Sequence, residues 1–129
     1  MHKYVLFVGD KPSKKNKNKD VAFVGTKSYK TLLDWIYQLD VSIMDAFMCN
    51  TTDSFDKYSE GYEVNTGGHT LWIHDKDAII ALGENASKHL SSLGIGHFVM
   101  PHPSGLNRKL NDKKWLKKKL KECKRYIHK

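Results

Sequence analysis

The chain has 129 residues, 40% hydrophobic and 28% charged, the make-up of one ordinary globular domain (1–129) with room for one core. No apolar run approaches a membrane span, and the opening MHKYVLFVGD is interrupted too soon for a signal peptide, so a cytoplasmic protein with reduced thiols at Cys49 and Cys123 is expected. Two cysteines, and histidines without H-x-x-x-H or H-E-x-x-H spacing, give no support for a metal site, while the net charge of +8 points to a polyanion.

KYVLFVG, at 3–9, is a short apolar run closed by glycine, which suits a buried parallel strand. The polar loop SKKNKNKD follows. SYKTLLDWIYQL, at 28–39, predicts a helix with Leu32, Leu33, Ile36 and Leu39 on one face and Ser28 as cap. DAFMCN, at 45–50, predicts a second strand, followed by polar TTDS. Residues 54–68 fit no one pattern, apart from a turn at NTGG, and TLWIH suits either a strand or the start of a helix. DAIIALG, at 77–83, is the clearest strand, ENASKHLSSL, at 84–93, a helix, and GHFVMP, at 96–101, a fourth strand. A last helix is expected at about 111–127, with Leu116, Leu120, Cys123 and Ile127 on one face and lysines over the rest.

Strands alternating with helices predict an α/β fold, a three-layer α/β/α sandwich around a central, mostly parallel four-stranded sheet. Ligands of such sheets bind outside the carboxyl ends of the strands. Here those ends read GDKPS, CNTT, LGEN and PHPSGLNR, and all should meet at one rim. There is no G-x-G-x-x-G and no G-x-x-x-x-G-K-[ST], so neither a dinucleotide nor a P-loop site is supported, and no cofactor is expected.

The charge is uneven. From Arg108 to Lys129 there are eleven Lys or Arg and two acids, a balance of +9 that leaves about −1 for the rest. Such a segment either meets nucleic acid or is a solvated lysine-rich surface. The stretch MPHPSGLNRK, at 100–109, places Leu106 in a loop too rich in turn formers to be helix or strand.

In this order, these strand ends resemble the uracil-DNA glycosylase superfamily. GDKPS matches its Gly-x-x-Pro first loop. HPSGLNR, His102 to Arg108, is very close to its last loop, and closest to the mismatch-specific uracil/thymine branch. DVAFVG offers the aromatic residue that follows the first loop, FMCNTT the strand that ends in asparagine, and IIALGENASKHL the third strand and its helix. The resemblance runs from Val5 to about Arg108 with a gap near residues 55–75.

It implies a DNA-acting monomer without metal that flips a base and breaks its glycosidic bond. Extruding a base costs a few kcal/mol of unstacking. Leu106 would fill the vacated space, unless it folds back on the core. Gly105 would allow close approach to DNA, and Arg108 would bind a phosphate or the widowed base. Ser13 and Ser104 would grip flanking phosphates. His102 would donate a hydrogen bond to the departing base as charge builds on its O2. Asp10, Phe23 and Asn50 would form the base pocket. Phe23 would stack on the base, if it is not a core residue, and Asn50 would read its edge, if it is not a strand-end cap.

One position departs from the family. Where active members often place Asp or Asn to hold the attacking water, this chain has Lys11. A charged lysine has donors and no acceptor. Either its amine is neutral and attacks the sugar as in a lyase, or it binds a phosphate while another group places the water, or hydrolysis is lost. The leading expectation is a glycosylase acting on uracil or a related modified pyrimidine, with Lys11, Asn50 and His102 at the chemistry. The alternatives are a catalytically altered member that binds or modifies bases in DNA, bacterial or viral, and a plain DNA-binding module resting on the basic helix.

Overall fold

The computed structural model describes residues 3–10, 27–66, 70–103 and 112–129. In chain order its elements are β1 (Val5–Gly9), α1 (Lys27–Gln38), β2 (Ala46–Asn50), β3 (Ser54–Tyr58), β4 (Gly61–Asn65), β5 (Thr70–Trp72), β6 (Ala78–Leu82), α2 (Glu84–Ser92), β7 (Phe98–Met100) and α3 (Lys113–Ile127). Single 3-10 turns, Ile43–Asp45 and Ile73–Asp75, lead into β2 and follow β5.

Four strands make a parallel sheet in the order β2-β1-β6-β7. All five residues of β1 and all five of β6 are buried, as expected of strands covered on both faces. Strand alternation divides them between two cores. Val5, Phe7, Ala78, Ile80 and Leu82 face Leu32, Trp35, Ile36 and Leu39 of α1 and Leu120, Cys123 and Ile127 of α3. Leu6, Val8, Ile79 and Ala81 face Ala86 and Leu90 of α2, together with Val64, Leu71 and Ile73. The expected three layers are therefore present.

The third layer is only half helical. Strands β3, β4 and β5 form a second sheet, antiparallel, in the order β3-β4-β5. Its inner face carries so few apolar side chains, Phe55, Tyr62, Val64 and Leu71, that no two-residue period emerges from the sequence. TLWIH turns out to be both things expected of it in turn, a short strand and then a helical turn.

Three smaller expectations need correction. Helix α1 begins at Lys27, so Ser28 lies in its first turn and is not the cap. Its core face uses Trp35, 2% exposed, whereas Leu33 is half-buried. At about 100° per residue Leu33 falls at the edge of the stripe centred on Leu32, Ile36 and Leu39. Helix α3 begins at Lys113, capped by Asp112, whose side chain accepts from the Trp115 N–H at 3.0 Å.

Both cysteines are free and buried. Burial, with the Asp53 charge adding to it, pushes the Cys49 thiol far up, and burial pushes that of Cys123 up to about 12.

Candidate active site

The chain passes from β1 through α1 to β2 on one side, then returns to place β6 on the other side of β1. The strand order reverses between β1 and β6, with α1 on one face of the sheet and α2 on the other. In open α/β sheets that reversal opens a crevice at the carboxyl ends of the two strands. Asp10 follows β1 there, and Asn85 stands in the first turn of α2 after β6.

Asp10 ties three of the four strand ends together. The Thr51 hydroxyl, one residue past β2, donates to the Asp10 main-chain carbonyl at 2.6 Å and lies 3.3 Å from its carboxylate Oδ1. The Asn85 side-chain amide donates to Oδ2 at 3.3 Å, so this bond crosses the crevice. Below it, the Thr51 N–H donates to the Gly9 carbonyl at 2.9 Å and prolongs the β1–β2 pairing by one residue.

The fourth strand end brings His102. The Gly83 N–H donates to the Met100 carbonyl at 2.8 Å, which draws the end of β7 against the end of β6. Gly83 adopts φ +98° and ψ 169°, a conformation nearly confined to glycine. A Cβ placed on it would stand 3.4 Å from the Cβ of His102. His102 itself is half-buried between Pro101 and Pro103. Burial lowers its pKa and outweighs the Asp10 charge, which acts to raise it. The ring is therefore neutral at pH 7, and a neutral imidazole can donate from one nitrogen and accept at the other.

Asn50 closes β2 and is 3% exposed. Its main chain is fully engaged: the N–H donates to the Asp53 carboxylate at 2.8 Å, and the carbonyl accepts from the Asp53 N–H at 3.0 Å. The side-chain oxygen Oδ1 is buried and has no hydrogen-bond partner among the described residues. An orphaned acceptor of this kind costs about 1–3 kcal/mol, so it needs a reason. The strand-end cap weighed for Asn50 does not account for that oxygen, because Asp53 performs the capping.

Asp10, Asn50 and His102 thus share the rim that the sequence assigned to them. Lys11, Ser13 and Phe23, together with Ser104, Gly105, Leu106 and Arg108, lie outside the described residues. Thr51, Gly83 and Asn85 were not singled out as site residues, although they stand in the quoted strand ends CNTT and LGEN. Among the described residues no group of three His, Cys, Asp or Glu side chains is placed to hold a metal ion, and no helix is long and apolar enough to cross a membrane.

A doubly wound parallel sheet whose strand ends gather an acid, a buried amide and a neutral histidine defines an α/β protein with a polar crevice at its switch point. The profile of the Uracil DNA glycosylase superfamily matches residues 2–124. The chain belongs to that superfamily. No curated protein matches it significantly.

Proposed function

We propose that the protein is a DNA glycosylase that flips uracil or a related modified pyrimidine into the rim crevice and hydrolyses its N-glycosidic bond. The observation that carries this reading is the buried Oδ1 of Asn50, without a partner among the described residues, in a member of this superfamily. A pyrimidine N3–H offers the donor that this oxygen lacks, and the amide N–H2 of the same side chain can serve the adjacent carbonyl. Phe23 would stack on the base and Asp10 would lie against it.

Bond cleavage leaves negative charge on the base and positive charge on the sugar. A neutral His102 supports the first charge by donating an N–H to the base O2. The carboxylate of Asp10, held by Thr51 and Asn85, brings a negative charge to the same rim, which favours a cationic sugar. Leu106 would occupy the space left by the base, with Gly105 allowing the approach and Ser13, Ser104 and Arg108 on phosphates. The protein would act as a monomer in the cytoplasm of a bacterial or virus-infected cell.

Lys11 favours a second reading, in which the fold binds or modifies bases in DNA without hydrolysis. One experiment separates the two. The protein is incubated with oligonucleotides carrying uracil, hydroxymethyluracil, hypoxanthine or a mismatch, and then treated with alkali. Strand scission at one of these bases, reduced by about 10²- to 10³-fold in His102→Ala, is expected. Tight binding without scission on any of them would replace the first reading with the second.

A further inference from the structure

We infer that α3 is a second DNA-binding element, a basic ridge that holds the duplex on one side of the target base. The inference rests on the reading that the rim acts on DNA.

The ridge follows from helical geometry. Leu120, Cys123 and Ile127 are buried on the sheet, and Leu116 packs beside them. Lys114, Lys118, Lys121 and Arg125 follow one another at spacings of four, three and four residues, so they line the opposite face, and all four are exposed. At 1.5 Å per residue they span about 17 Å, the rise of roughly five nucleotides at 3.4 Å each.

The direction of the ridge is also fixed. Its far end lies away from the rim: the ring of His128 meets the Leu39 carbonyl at 2.8 Å, just past the end of α1, and Tyr126 packs on Phe98 at the start of β7. The helix therefore runs opposite to the strands, and its first turn lies toward the rim and His102. A duplex engaged at the crevice would meet Lys114 first and Arg125 last.

Lys124 and Arg125 in the last turn suit the helix dipole, but the other charges do not serve the helix. Of its eight cations only Lys119 has an acid within ion-pair distance among the described residues, Glu122 at 3.9 Å. Lys114–Lys118 and Lys121–Arg125 are like-charge neighbours one turn apart, which weakens a helix, and Lys113 and Lys114 stand at the end where the helix dipole disfavours cations. A row of phosphates would relieve both penalties. The elements of the opposite layer are close to neutral: β3, β4 and α2 carry Asp56, Glu63 and Glu84 against Lys57 and Lys88. Among the described residues, the concentrated positive charge therefore lies on α3.

The test uses the full chain and a labelled duplex with one uracil. Variant K114Q/K118Q/K121Q is compared with K30Q/K57Q/K88Q, which removes the same charge from exposed sites on α1, β3 and α2. The ridge variant should lower the log–log salt slope of binding by about 2 to 3, near 0.9 for each phosphate it no longer neutralises, and the control variant by less than one. Nuclease protection by the wild type should extend roughly five base pairs further on one side of the uracil, and that extension should vanish in the ridge variant. Equal slopes for the two variants, or a slope unchanged in the ridge variant, would overturn the inference. Salt slope is read without base release, so a protein that releases no base can still show the ridge. Thermal melting of the ridge variant at or above the wild-type temperature confirms that the fold is intact.

Discussion

The hydroxyl of Thr51 donates to the main-chain carbonyl of Asp10 at 2.6 Å, so the residues that follow two parallel strands are joined by a side chain just where the sheet stops. The same hydroxyl is 3.3 Å from the Asp10 carboxylate. Replacing it with a methyl leaves that carbonyl without this donor and frees the carboxylate to turn. Thr51→Val should cost about 1–3 kcal/mol of stability, measured by urea unfolding, and should slow base release. Thr51→Ser keeps the hydroxyl and should restore most of the rate. Equal rates for Val and Ser would mean that the link to Asp10 has no part in the chemistry.

Much of this rim was legible in the sequence because parallel strands announce themselves. Continuous apolar runs such as VLFVG and AIIAL, each followed by polar residues, fix both where a strand is and which of its ends meets the rim. Asp10, Asn50 and His102 could be found that way. Thr51 and Asn85 could not, because a threonine after a strand or an asparagine in a first helical turn is ordinary capping chemistry. Only their three-dimensional convergence on Asp10 sets them apart. The meander of β3, β4 and β5 stayed hidden for a different reason. Its stability comes from cross-strand pairing and from a few side chains on its inner face, and neither leaves a period along the chain.

The buried oxygen of Asn50, which has no partner among the described residues, makes stability and activity move in opposite directions. Leucine has nearly the shape of asparagine and no buried acceptor to satisfy. Asn50→Leu should therefore leave the folded state as stable as before or raise it by up to about 1–3 kcal/mol. Base release should be lost, since no group is left to read the base edge. A clear loss of stability in urea would show that Oδ1 has a structural partner, and the binding role assigned to it would fall.

Gly83 should tolerate alanine poorly for a conformational reason and not a steric one. The new Cβ would find an ordinary contact distance of 3.4 Å to His102. The backbone at φ +98°, ψ 169° is the obstacle, and holding a residue other than glycine there costs about 1–3 kcal/mol. The chain can escape that strain by turning the peptide that bonds Met100, which would shift His102. Gly83→Ala should lower the urea midpoint and the rate of base release together. Unchanged values for both would show that the β6–α2 junction relaxes without cost to the His102 loop.

His102 links the site to pH through burial. Its folded pKa lies below the ordinary value of 6.5, so the unfolded chain binds the proton first as the solution is acidified. Stability contributed by the neutral ring is fully present above 6.5 and is lost as pH falls through the folded value. Asp10 opposes this loss without reversing it, because its charge favours the imidazolium. The wild type should therefore lose more melting temperature between pH 7.5 and 5 than His102→Gln, which cannot titrate there. Base release should follow the same group from the other side. The neutral ring donates to the leaving base and has no proton to lose near pH 7, so the rate should be level from pH 7 to 8 and should change only on the acid side of the ordinary histidine range. In Asp10→Asn, that acid limb should move to lower pH, since the charge that favours protonation is gone. A limb that stays in place in Asp10→Asn and persists in His102→Gln would assign the titration to another residue and leave His102 with a packing role alone.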